Sequence, residues 1–171
     1  MKVFVCQRSA VSRKTSQVGA THVLSLLDPG KRPFLHPKTN RKNWLLLHFE
    51  DNLDENQPNS PTREHVKQIL AWGSTLPDDA VVLVHCEAGV SRSTAAALAL
   101  LVQHHGNDKI DECIQLLLEV RPVACPNPLI TLFADEQLGC NGKLHEKAEA
   151  VATAKIVNYR AASSRGLSRE C

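Results

Sequence analysis

The sequence predicts an α/β fold, a single domain with a largely parallel central sheet flanked by helices, on three observations. Four short apolar runs have strand length: Lys2 to Cys6, Thr21 to Leu27, Trp44 to Phe49 and Ala80 to His85. Helical stretches lie between and after them. The run WLLLHF at 44–49 is continuously apolar, as in a strand buried on both faces.

The first strand, Lys2 to Cys6, is apolar and β-branched. Residues 8–19 are polar and fit helix or loop equally. The second strand ends at Asp28-Pro29-Gly30, a strong turn signal. Residues 30–43, rich in Lys, Arg and Pro, read as an exposed loop before the third strand. Residues 50–59, EDNLDENQPN, are acidic and aperiodic, hence loop. Ser60-Pro61 has the form of a cap followed by proline, and Val66, Ile69 and Leu70 follow at helical spacing, so a helix is expected over 61–75. After the fourth strand, the Ala- and Leu-rich stretch Ser91 to His105 predicts a mostly buried helix, stopped at Gly106-Asn107. Ile110, Cys113, Ile114 and Leu117 mark one face of a helix over 108–120, ended by Arg121-Pro122. Asn127-Pro128 starts another helix that runs to about Leu138, and residues 142–159 supply a last one.

Composition narrows the function. A chain of 171 residues, 43% hydrophobic, can build one sizeable core. A net charge of +2 is too small for a protein that binds nucleic acid by charge, so no nucleic-acid partner is expected. No apolar run is long enough to span a bilayer, and Met1 to Arg8 lacks the long apolar stretch of a signal peptide, so no membrane insertion and a cytoplasmic location are expected. The six cysteines are widely and irregularly spaced, which fits reduced thiols better than disulfides. There is no CxxC pair and the eight histidines are scattered, so no metal and no cofactor are expected.

The informative stretch joins the fourth strand to the buried helix: His85-Cys86-Glu87-Ala88-Gly89-Val90-Ser91-Arg92-Ser93. In open parallel sheets ligands bind at the carboxyl ends of strands. The helix that follows presents free N–H groups and a positive dipole end, and a loop of N–H groups curled about one point is a nest for phosphate. Glu87, Ala88, Gly89, Val90, Ser91 and Arg92 are the candidate phosphate-binding residues. Cys86 is the candidate nucleophile, because a thiolate reacts and the N–H groups and Arg92 stabilise its charge. The Arg92 guanidinium can fork onto two phosphate oxygens, which lysine cannot do. Gly89 admits a backbone conformation closed to other residues.

The text HCEAGVSRS resembles the signature of the cysteine-based protein tyrosine phosphatases, and most closely the dual-specificity branch and its compact bacterial relatives. The resemblance is specific over residues 81–95 and looser from about 20 to 140. The chain after residue 145 lies outside it, and the expected organisation is a phosphatase domain over 1–160 with 161–171 a flexible tail. The resemblance implies an aspartate that protonates the leaving oxygen, and Glu50-Asp51-Asn52 matches the text around that acid, so Asp51 is chosen, with Asp54 as runner-up. It gives supporting roles to His85, which stabilises the loop, to Ser93, whose hydroxyl helps the sulfur leave, and to Asn127, which braces the phosphate loop. As a plain sequence feature Asn127 is equally a helix cap.

The implied substrates are phosphorylated proteins, on tyrosine, serine or threonine, or another phosphomonoester. Phosphoinositide relatives carry lysines in the loop, whereas Glu87, Ala88, Val90 and Ser91 are acidic or neutral here. A phosphate-binding module without turnover would usually have lost the Cys, the Arg or the acid. With only seven aromatic residues, a shallow pocket is expected rather than a deep aromatic cleft.

Overall fold

A computed structural model describes residues 1–34 and 40–166. Its elements are β1 (Lys2–Gln7), α1 (Val11–Val18), β2 (His22–Leu27), β3 (Trp44–His48), α2 (Arg63–Gly73), β4 (Val81–Cys86), α3 (Arg92–His105), α4 (Ile110–Val120), α5 (Pro128–Leu138) and α6 (Lys143–Gly166). Short 3-10 turns precede α1, β3 and α4.

The four strands form one sheet in the order β1-β4-β2-β3, and every pairing is parallel. β4 is therefore central, with β1 and β2 on its two sides. Its side chains alternate. Val82, Val84 and Cys86 face the large core, while Leu83 packs with Cys6 and Val11 on the opposite, α1-covered face. The large core is built on α3, whose residues from Arg92 to Val102 are all buried. Each fully buried leucine in it, such as Leu98 or Leu100, is worth about 2–3 kcal/mol of burial.

Three local expectations are corrected. The run at 44–49 is an edge strand and only partly buried: Trp44, Leu45 and Leu46 keep some exposure and His48 points to solvent. Apolar content gave the strand but not its place, because among the described residues its outer edge has no strand partner. The helix after the acidic loop is capped by Thr62, not Ser60. The Thr62 hydroxyl accepts from His65 N–H while the His65 ring accepts from Thr62 N–H, a capping box with histidine at the third position. The last helix runs to Gly166, so residues 161–166, expected in the tail, are helical, and 167–171 lie outside the described residues. The expected loop at 30–43 lies in part, at 35–39, outside them too.

The helix termini that matter for the site are well formed. Asn127 caps α5 through its side-chain oxygen, which accepts from Ile130 N–H, with Pro128 at the first turn. Buried Asp135 accepts from the N–H groups of Gly142, Leu144 and His145, and so ties the start of α6 to the end of α5.

Candidate active site

Cys86 is the last residue of the central strand, and Arg92 the first of the buried helix, so the intervening loop sits at the carboxyl end of the sheet. All five loop carbonyls bond away from the centre of the loop. Glu87 O accepts from Arg8 N–H, Ala88 O and Gly89 O accept from the Arg121 guanidinium, Val90 O accepts from Cys125 N–H, and Ser91 O accepts from Thr94 and Ala95 N–H. In a trans peptide the N–H of the next residue points opposite to the carbonyl. The N–H groups of Ala88 through Arg92 therefore turn inward, towards one point above the Cys86 sulfur. Gly89 N–H reaches that sulfur itself at 3.3 Å.

Gly89 is required here twice over. Its φ is +69°, and a Cβ on it would lie 2.5 Å from the backbone carbon of Cys6. The loop is thus pressed against β1, and no side chain fits between them.

Cys86 is buried, with its sulfur 3.1 Å from the Ser93 hydroxyl. Arg92 is buried as well, and its Nη1 donates to Asp28 Oδ1 at 2.7 Å and to Phe49 O. Its Nε is a buried donor with no partner among the described residues. A buried donor left unpaired costs about 1–3 kcal/mol, and an anion in the loop would satisfy it. In the sequence Asp28 carries only a turn signal, with Pro29 and Gly30. The signal for its role is that a buried arginine needs a counter-charge, and Asp28 stands at the carboxyl end of the neighbouring strand β2.

His85 lies on the other face of β4 and is fully buried. Its Nε2 meets Ser25 Oγ at 2.6 Å, and that hydroxyl accepts from the Trp44 indole at 3.0 Å. Burial pushes the imidazole down to about 4, so the ring is neutral near pH 7. It links β4 to β2 and β3.

The two candidate carboxylates have different surroundings. Asp51 Oδ1 accepts from Ser91 Oγ at 2.6 Å and from Asn127 Nδ2 at 2.8 Å, so it stands against the phosphate loop. Asn127 Nδ2 also donates to Asn52 O at 3.0 Å. The Asn127 side chain thus holds the acidic loop as well as capping α5, while its backbone N–H lies 3.4 Å from Ser91 O. Asp54 instead accepts from the N–H and side-chain amide of Asn56, within its own turn, and these bonds hold its carboxyl below the usual range. Glu87 points outward and meets Arg8 at 3.6 Å.

Among the described residues no group of three His, Cys, Asp or Glu is spaced to hold a metal ion. None of their helices is long and apolar enough to cross a membrane. Chemically, the arrangement offers an anion nest, a sulfur at its floor and a carboxylate at its rim.

The chain is similar to several known proteins. Mouse dual specificity protein phosphatase 19 is 44% identical over 50 residues, which are 29% of this chain and 22% of that protein. The chain spans well under two thirds of the length of the curated relatives it matches. The crystal structure of human DUSP28 superposes with a TM-score of 0.62 at 20% identity, over 81% of this chain and 89% of that one. That of human tyrosine phosphatase-like serine/threonine/tyrosine-interacting protein superposes with a TM-score of 0.60 at 21% identity, over 81% and 92%. At such identities the likeness is one of fold. The family model for the dual specificity phosphatase catalytic domain matches residues 3–134, which include the sheet, the phosphate loop and both candidate carboxylates, and the chain belongs to that family.

Proposed function

We propose that this protein hydrolyses phosphomonoesters, chiefly phosphotyrosine, phosphoserine or phosphothreonine on proteins, through a phosphocysteine on Cys86. The observation that carries this reading is the loop itself. Five carbonyls turned outward, a sulfur at the floor and a buried Arg92 Nε unpaired among the described residues define a seat for a phosphoryl group.

In the first step the Cys86 thiolate attacks phosphorus. The S–P bond forms, the P–O bond to the leaving group breaks, and the Asp51 carboxyl gives that oxygen its proton. Arg92 and the N–H groups of Glu87 through Arg92 stabilise charge on the equatorial oxygens. In the second step water attacks phosphorus and gives its proton to the Asp51 carboxylate. The S–P bond breaks, phosphate leaves, and the electron pair returns to sulfur, which the Ser93 hydroxyl at 3.1 Å stabilises. No cofactor enters these steps.

Asp51 is favoured over Asp54 because it stands against the loop, whereas the Asp54 carboxylate is occupied by Asn56. Asn127 is a positioning residue for Asp51, and His85 holds the end of β4 from behind. The loop text HCEAGVSRS is compatible both with the dual-specificity branch at large and with its compact bacterial relatives. The five described cysteines are all free thiols, which fits a reducing compartment such as the cytoplasm.

A second reading, a module that binds phosphate without turnover, is favoured by the fold likeness to a phosphatase-like interacting protein. One experiment separates the two. Wild-type protein is expected to release phosphate from p-nitrophenyl phosphate in the presence of a chelator. Cys86→Ser is expected to lose turnover while still binding vanadate. Wild-type turnover retained in Cys86→Ser refutes the phosphocysteine route, and binding without turnover in the wild type supports the module.

A further inference from the structure

We infer that the groove between α6 and the phosphate loop receives a basic side chain next to the phosphorylated residue of a peptide substrate, with Glu149 setting that preference. The inference rests on the protein-phosphatase reading above. The groove has a volume of about 170 Å³, and its walls include Leu53, Ser91, Pro126, Pro128, Glu149 and Ala152. Ser91 belongs to both the phosphate loop and the groove, and its hydroxyl holds Asp51. A residue beside the phosphorylated one therefore passes from the loop directly into this space.

The outer wall is α6, which lies beyond the residues that match the family model. It is held in place firmly. Leu144 and Ala148 are buried in the core, and Asp135 fixes the first turn. The groove is thus set by a part of the chain that the catalytic residues do not require.

Its chemistry selects an occupant. The walls are mostly apolar, and Leu53 alone is 66% exposed. Glu149 adds a carboxylate at the rim, and its contact is with His145 one turn back at 3.7 Å, too long for a good hydrogen bond. An arginine or lysine can lay its aliphatic stem along Leu53, Pro126 and Pro128 and bring its cationic head to Glu149. An acidic side chain in the same place meets like charge.

The test uses two phosphopeptides that differ only in the residues on either side of the phosphorylated one, arginine in one and glutamate in the other. Wild-type protein is expected to turn over the arginine peptide with kcat/KM higher by roughly 2- to 5-fold, the range a partly exposed ion pair supports. Glu149→Gln should bring the ratio towards one, and Glu149→Lys should invert it. A ratio equal in all three proteins overturns the inference. Wild-type turnover of p-nitrophenyl phosphate, which has no flanking residue, is measured alongside. If that fails, the catalytic reading falls and takes this inference with it; if it holds while the ratio stays fixed, only the groove is refuted.

Discussion

Lowering the pH from 7.5 to 4 is expected to remove about 3 kcal/mol of stability through His85 alone. The ring is fully buried between β4 and the Ser25–Trp44 pair, and burial pushes it from 6.5 down to about 4. Between those two values the unfolded chain binds a proton that the folded chain does not. Stability therefore rises with pH through this window and is lost as pH falls from 6.5 towards 4. At about 1.4 kcal/mol per pH unit, the interval yields about 3 kcal/mol by pH 4. For a chain of this length that corresponds to roughly 6–12 °C in Tm. The assay is urea unfolding of wild type and His85→Gln at pH 7.5 and pH 4. The variant loses stability at both values, since it disturbs a buried contact, but its acid-induced loss should be smaller by about 3 kcal/mol. His22, His65 and His104, also held below the usual range by burial, contribute equally to both proteins and cancel. Equal acid-induced losses in the two proteins refute the claim that His85 is neutral in the fold.

Other outcomes follow from the site. Asp51→Asn should slow an alkyl phosphate by about 10²–10⁴-fold, slow an activated aryl phosphate less, and erase the basic limb of the pH–rate profile, while Asp54→Asn does little of either; the reverse pattern reassigns the acid. Asp28→Ala should cost about 1–3 kcal/mol, because it leaves a buried Arg92 donor without its partly exposed carboxylate partner. Inorganic phosphate should then raise the Tm of that variant more than it raises that of wild type, measured by thermal unfolding with and without the anion. Gly89→Ala should lower phosphatase activity by at least about 10-fold, since the left-handed conformation costs about 1–2 kcal/mol before the contact with Cys6 is counted; near-normal turnover would mean that the loop adopts another shape.

The sequence by itself determined what is local. Strand runs, helix periodicity and the cap-then-proline at Asn127-Pro128 are short-range patterns, and the elements formed where those patterns lie. The text from His85 to Ser93 is also contiguous, so the nucleophile, the arginine and the glycine are legible together in the sequence. Only the tertiary structure decided which distant residues meet them. Asp28 lies 64 positions from Arg92, and Asn127 lies 76 positions from Asp51. Neither pairing leaves a mark in spacing, because it arises from parallel strands that deliver their carboxyl ends to one side of the sheet. The same holds for the edge position of β3. Residue types say that a run is apolar, but hydrogen-bonding order β1-β4-β2-β3 says which strands have neighbours on both sides, and so which are buried.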